Sequence, residues 1–198
     1  MDSRFAPAVI QVARAEATPQ PYGKVNDKFF EPGAEKGLRF GWKRLKEYFE
    51  VAGKWTDAHW RMPGYLDGVK RNNKRVPQPG TSGVNWCGIF ATWVWIKAGV
   101  PGVSWGFPGV KGPNVKKVAG YKGIGLGDIA VLNGALVHHC IVSDIKGDTG
   151  KGTTQIETIN GNSLYQGITI KSIILQEINC YYTIEDKFFD MLKAQYGQ

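Results

Sequence analysis

The chain has 198 residues, 42% of them hydrophobic and 12% aromatic, which suits one sizeable core and excludes an extended disordered chain. Its formal charge of +8 either serves solubility or favours an anionic partner, such as nucleic acid, an acidic membrane or bacterial cell-wall polymer. No apolar run reaches the ~18 residues of a membrane span, and three cysteines at irregular spacing (Cys87, Cys140, Cys180) argue against a disulfide framework.

The first residues, Met1 to Pro7, do not read as a secretory signal, because the apolar stretch from Ala8 to Val12 is too short and charges follow at once. Synthesis in the cytoplasm, with some other export route for any role outside it, is the expectation. Residues 7–17 carry Val9, Ile10, Val12, Ala13 and Ala15 and predict a first helix, broken by Thr18-Pro19-Gln20-Pro21. In residues 40–52, Phe40, Leu45, Tyr48, Phe49 and Ala52 alternate with charges, an amphipathic helix that Gly53 stops. Residues 57–69 predict another helical piece, interrupted at Pro63-Gly64. Lys70, Arg71, Lys74 and Arg75 then form the densest basic patch, on an exposed loop, and no nucleic-acid recognition motif accompanies them.

After Asn85 comes the clearest helix. Cys87, Phe90, Ala91, Val94, Trp95 and Ala98 make one face, and Ile89, Trp93 and Ile96 cover much of the rest, so burial nearly all round is expected. Gly99 ends this helix and Pro101 prevents its resumption. Residues 101–127 are rich in Gly and Pro, carry Trp105 and Phe107, and read as a long connection with a helical turn at 115–118. Connections of this length are uncommon unless they build a site. From Asp128 the period changes to two. Strands are predicted at 129–132 and 136–145, with Asn133-Gly134 as a hairpin signal between them. Further strands follow at 153–159, 167–175 and 178–183, joined through Asn160-Gly161-Asn162 and Tyr165-Gln166, and residues 186–196 close the chain as a helix. Helices first, an antiparallel sheet second and a terminal helix define an α+β arrangement. Residues 1–80 form a helical extension or cap integral to the domain, and residues 81–198 its core.

One helix-borne cysteine, a strand-borne histidine and a strand-end Asn occur in the order a thiol hydrolase requires: nucleophile, proton shuttle, orienting residue. With Asn85 as N-cap, Cys87 falls near N2, where the helix dipole and free backbone N–H groups favour a thiolate and can hold an oxyanion. Gly88 lets a substrate approach the backbone. In Leu136-Val137-His138-His139-Cys140-Ile141-Val142, alternate residues share a face. The set with His138, Cys140 and Val142 looks like the side under the helix, so His138 is expected to reach Cys87, with His139 as runner-up. Asn160 is the expected orienting residue and Asn162 and Glu157 the alternatives. Glu157 and Asn160, three apart on a strand, face opposite ways. Asn85, Trp86, Gly88, His139 and Asn162 are the expected substrate contacts. Cys140 and Cys180 read as small buried thiols, and His59 as an interfacial residue beside Trp55 and Trp60. A zinc site from Cys87, His138, His139 and Cys140 is disfavoured, because adjacent strand residues diverge and no Cys-x-x-Cys spacing occurs; neither metal nor cofactor is expected.

The Asn85-Trp86-Cys87-Gly88-Ile89-Phe90-Ala91 segment, with Trp93-Val94 after it, resembles the cysteine helix of the CHAP and NlpC/P60 peptidoglycan hydrolases. Gly127-Asp128-Ile129-Ala130-Val131-Leu132 looks like their Gly-Asp-hydrophobic strand. His138-His139-Cys140-Ile141-Val142 is similar to their His-x-x-Ile-Val strand, and Thr158-Ile159-Asn160-Gly161-Asn162 to their Ile-Glu-Gly-Asn segment. The match covers residues 85–171 in the family's order. It implies a papain-like fold and cleavage of amide bonds in stem peptides or at the sugar–peptide junction, with Cys87 as nucleophile, His138 as base and acid, and Asn160 orienting where many CHAP domains carry Glu. It also implies a peptidoglycan partner, action in the cell wall or periplasm after delivery, and a cognate immunity or inhibitor protein if the chain is a toxin passed to rival cells, as type VI secretion effectors are; the other route is a phage lysin. Two competing functions remain: a papain-like toxin acting on a host protein as protease, deamidase or acyltransferase, and a non-catalytic binding module on the same scaffold.

Overall fold

Residues 4–17, 42–53, 86–106, 109–134, 137–163 and 167–185 are described by the structure, a computed structural model. Helix α1 (Ala6–Glu16) has Pro7 in its first turn, where the missing N–H costs nothing, and buries Ala6, Val9, Ala13 and Glu16. Helix α2 (Trp42–Gly53) turns Leu45, Tyr48, Phe49 and Ala52 inward. Helix α3 (Cys87–Lys97) is buried without a break from Cys87 to Trp95, as its all-round apolar sequence requires. Gly99, at φ +86°, ends it: its N–H bonds the Ile96 carbonyl and the Val100 N–H bonds that of Trp95, both at 3.0 Å. Trp86 is the N-cap and makes no side-chain cap bond, so Cys87 is the first helical residue rather than the second. Asn85, expected as the cap and a substrate contact, lies outside the described residues, as do His59, the basic cluster at 70–75, the piece at 57–69 and the closing helix at 186–196.

Strands β1 (Ser104–Gly106) and β2 (Gly109–Lys111) form a small antiparallel hairpin inside the long connection. The helical turn expected at 115–118 is instead strand β3 (Val115–Ala119). Branched Val115 and Val118 pair with Ile184 and Tyr181, and tertiary pairing decides the conformation of a segment too short to choose for itself. Strands β4 (Ile129–Leu132), β5 (His138–Lys146), β6 (Gln155–Ser163) and β7 (Gly167–Ile174) follow as an antiparallel meander, and β8 (Ile178–Ile184) returns between β3 and β4. The six-stranded order is β3-β8-β4-β5-β6-β7. Leu132 pairs with His138, so five residues separate the paired positions rather than the two of the turn that Asn133-Gly134 suggests. Strand β6 runs on through Ser163, and its register shifts between Asn160 and Ser163, where Asn162 adopts the left-handed region at φ +54°. The described residues thus form an α+β fold of three helices, a hairpin and an antiparallel sheet. No helix among them is long and apolar enough to cross a membrane.

The sheet is buried on both sides. One face, carrying Ile129, Val131, Ile141, Ile159, Ile168 and Tyr182, packs on α3 and shares a core with α1 and α2. The other buries Ala130, Cys140, Val142, Ile156 and Tyr181 under connecting segments that contribute Ile124 and Leu175. Gly161 sits on the helix face, where a Cβ would come within 2.7 Å of Phe90; α3 therefore approaches β6 closely.

A buried charge network fastens α1 to α2. Glu16 accepts hydrogen bonds from Arg44 and from the Tyr48 hydroxyl, and the Arg44 guanidinium lies 4.6 Å over the Trp93 ring of α3. Burial works against the charge on Arg44, yet bonding and attraction to Glu16 win and raise its pKa above the ordinary value. Glu16→Ala removes the acceptor of the buried phenol and takes one of its carboxylate partners from Arg44, which keeps its bond to Glu47. Urea unfolding should show a loss of about 3 kcal/mol, the usual cost of removing one partner from a buried pair. A loss no larger than that of an exposed substitution such as Lys116→Ala would mean that the network contributes little.

Candidate active site

At the N-terminus of α3 the Cys87 sulfur faces strand β5. Cys87 Sγ lies 3.9 Å from Nδ1 of His139, accepts the His139 backbone N–H at 3.4 Å, and sits 3.9 Å from the Val137 carbonyl oxygen. Both side chains are buried, with Cys87 1% and His139 3% exposed. The expected pairing of Cys87 with His138 is therefore corrected by one residue, to the runner-up. The cause is packing. Both faces of β5 are apolar, so its pattern leaves the register open. Ile129, Ile141 and Ile159 pack beneath the aromatic-rich helix, and Ala130 and Cys140 pack on the other face with Val142, Ile156 and Tyr181. His139, in step with Ile141, turns toward the helix, and His138 turns away with Cys140.

His138 has its own partner there. Its Nε2–H donates to Asn160 Oδ1 at 3.1 Å. The amide is oriented by its Nδ2, which donates to the Thr158 carbonyl and hydroxyl, each at 3.0 Å. Cys87, His138 and Asn160 thus do not meet as one triad: the structure divides them into Cys87 with His139 on one face and His138 with Asn160 on the other. Of the alternatives, Glu157 accepts from Ser143 Oγ at 2.8 Å and pairs with Arg14 of α1. Asn162 occupies the bulge at the end of β6. None of the three bonds the far nitrogen of His139, and Nε2 is buried with no hydrogen-bond partner among the described residues.

Two aromatic residues that the sequence did not single out for the site enclose the imidazole instead. Trp105 of β1 meets it edge-on, with ring centroids 5.1 Å apart and planes at 86°. Tyr182 of β8 lies nearly parallel to it, at 6.1 Å and 17°. Trp105 had a signal in the Gly- and Pro-rich connection around it, whereas Tyr182 reads as one more core aromatic. Gly88, expected to admit a substrate, admits Trp105: a Cβ there would lie 2.1 Å from the indole. Trp86 packs edge-on against Phe90 and near Tyr48, within the core.

Burial raises the Cys87 thiol above its ordinary pKa, although N–H groups of His139, Gly88 and Cys87 itself pull the other way. The low thiol pKa expected at a helix start is therefore overturned by desolvation. Burial, followed by the positive charges of His138 and Lys117, depresses His139 to about 4. The pair at rest is thus a neutral thiol beside a neutral imidazole, with N–H donors already aimed at the sulfur. Such a pair supports attack in which Nδ1 takes the thiol proton as the new bond forms, rather than a standing ion pair. Cys140 is fully buried and pushed up to about 12, a thiol without reactivity. No three His, Cys, Asp or Glu side chains gather as a metal site among the described residues.

A depressed histidine links the site to stability. Between the ordinary value of 6.5 and about 4 the unfolded chain holds the proton that folded His139 refuses, so acidification through that window favours unfolding. His138, also lowered by burial, acts in the same sense. The melting temperature should therefore fall from pH 6.5 to pH 4, and less steeply in His139→Gln; equal slopes in the two proteins would contradict the burial of a neutral imidazole.

Neither a protein-family model nor a curated protein matches this chain, so what it does has to be read from its own geometry.

Proposed function

We propose that the chain is a thiol hydrolase of papain-like architecture that cleaves amide bonds in bacterial peptidoglycan, with Cys87 as nucleophile and His139 as general base and acid. The observation that carries this reading is the approach of Cys87 Sγ, at the first residue of α3, to His139 Nδ1 at 3.9 Å. Peptidoglycan as the substrate rests on the ordered resemblance of residues 85–171 to the CHAP and NlpC/P60 hydrolases, and the positive net charge suits an anionic wall polymer.

In the reaction, Nδ1 removes the thiol proton while sulfur attacks the amide carbonyl carbon. Backbone N–H groups in the first turn of α3 support the oxyanion. Nδ1–H then protonates the departing amine, leaving a thioester on Cys87. Water hydrolyses it, giving its proton to His139 and returning the thiol. The buried start of α3 keeps competing water out until substrate displaces part of the cover, and the elevated thiol protects sulfur from adventitious oxidation. Delivery as an antibacterial effector, with an immunity protein in the producer, or release as a lysin would each bring such an enzyme to the wall.

A second reading, a non-catalytic binding module, is favoured by the 1% exposure of Cys87 and its raised thiol pKa. Digestion of purified peptidoglycan separates the two. Wild-type protein should release new muropeptides, identified by mass spectrometry, and Cys87→Ala none. His139→Ala should lose about 10²–10⁴-fold in rate, the range of general acid–base catalysis, while His138→Ala keeps the rate of a folded protein. Intact peptidoglycan after prolonged incubation with the wild type would sink the hydrolase reading. A rate loss confined to His138→Ala would overturn the choice of base.

A further inference from the structure

His139 poses a positioning problem. An imidazole that serves as base must hold one nitrogen toward the thiol, and a hydrogen-bond acceptor on the other nitrogen ordinarily fixes the ring. Here that nitrogen has no such partner among the described residues, and Asn160, Glu157 and Asn162 are occupied or placed elsewhere. Yet the ring has definite neighbours: the face of Tyr182 nearly parallel to it, and the indole of Trp105 perpendicular to it. We propose that Trp105 and Tyr182 form an aromatic clamp that sets the plane of His139 toward Cys87, taking the place of a hydrogen-bonding third residue. This rests on the hydrolase reading only for its catalytic consequence.

The clamp is itself built into the fold. Tyr182 is held in the sheet by pairing with Ile129 on β4 and Lys117 on β3, and the Lys117 ammonium lies 5.9 Å over its ring. Trp105 is held in the hairpin opposite Val110. Each ring tip occupies space that a glycine leaves open. The indole lies where a Cβ on Gly88 would stand, at 2.1 Å, and the Tyr182 hydroxyl lies 2.0 Å from where a Cβ on Gly109 would stand. Gly109 belongs to β2 and Trp105 to β1, so one hairpin seats both jaws. Turning the imidazole out of its plane gives up the near-parallel arrangement with Tyr182 and the perpendicular one with Trp105. Within the plane, the thiol selects which edge faces it, since Sγ can donate to Nδ1 and not to a ring carbon. When the imidazole is protonated during the reaction, the Tyr182 face also offers a π surface to the cation.

The test compares Tyr182→Leu, Tyr182→Phe, Gly88→Ala and Asn160→Ala with the wild type. The readouts are hydrolysis kinetics and the chemical shifts and titration of the His139 ring by NMR. In the wild type, the His139 ring protons should be shifted upfield by the adjoining aromatic ring. Tyr182→Leu should remove much of that shift, move the titration up toward the ordinary histidine value, and lower kcat by about 10²-fold, the cost of a misaligned catalytic group, with KM within about twofold. Tyr182→Phe keeps the ring and should restore all three. Gly88→Ala, which wedges Trp105 aside while keeping the Cys87 and His139 side chains, should lower kcat in the same direction and serves if Tyr182→Leu fails to fold. Asn160→Ala should keep the wild-type His139 shift and titration. The clamp is overturned if Tyr182→Leu leaves the His139 spectrum and kcat as in the wild type, if Tyr182→Phe is as impaired as Tyr182→Leu, or if Asn160→Ala alters the His139 ring as much as Tyr182→Leu does. Absence of muropeptides from every protein, wild type included, would sink the hydrolase reading alone, because the NMR comparison decides the clamp independently.

Discussion

Helix α3 is buried at every residue from Cys87 to Trp95, and most of the described fold follows from the need to cover it. A helix that is apolar all round has to find neighbours on every side. Strands β5 and β6 supply one, with Gly161 stripped of a side chain so that Phe90 can press against the backbone. Helices α1 and α2 supply others, and the β1–β2 hairpin comes down over Gly88. The side chains that do this are large and aromatic: Tyr48 packs against Trp86, Phe90 and Trp93 at once. Arg44 and Glu16, which charge alone would send to the surface, are drawn in over Trp93 and beside Tyr48. The first helices therefore complete the core that holds the thiol.

The same burial sets the electrostatics of the site. A helix start favours a thiolate through its dipole and free N–H groups, worth roughly 1 kcal/mol at an exposed position. Removing a charge from water costs more, and at Cys87 desolvation outweighs three backbone donors. At His139 it acts in the opposite chemical sense, suppressing the cation. Thiol and imidazole are consequently driven away from ionisation together. In the proposed reaction, charge separation between them requires a bound group to receive it.

Much of this was legible in the sequence. The three described helices, the strand at 129–132, the glycine that stops α3 and the burial of Cys140 follow from period, composition and turn residues that act locally. What sequence did not decide depended on partners far along the chain. Val115 to Val118 is a strand because β8, some sixty residues on, is there to pair with it. The choice between His138 and His139 turned on which face of a doubly buried strand meets the helix. Period two gives the alternation but not its phase when both phases are apolar. Asn160 looked like an orienting residue at a strand end; the strand continues past it, and its amide serves the opposite face. Tyr182 was invisible as part of the site because a stacking partner has no motif.

Adjacent histidines on one strand carry a consequence for how the site tolerates change. Sliding β5 by one residue relative to α3 would exchange His138 for His139 and still present an imidazole to Cys87. The rest of the strand is not so indifferent: the same slide would bring Cys140 beneath the helix in place of Ile141 and leave a void among aromatics. The register is thus enforced by the core packing while the imidazole itself is present in duplicate. A lineage could repack this sheet by one step without ever passing through a form that lacks an imidazole beside the thiol.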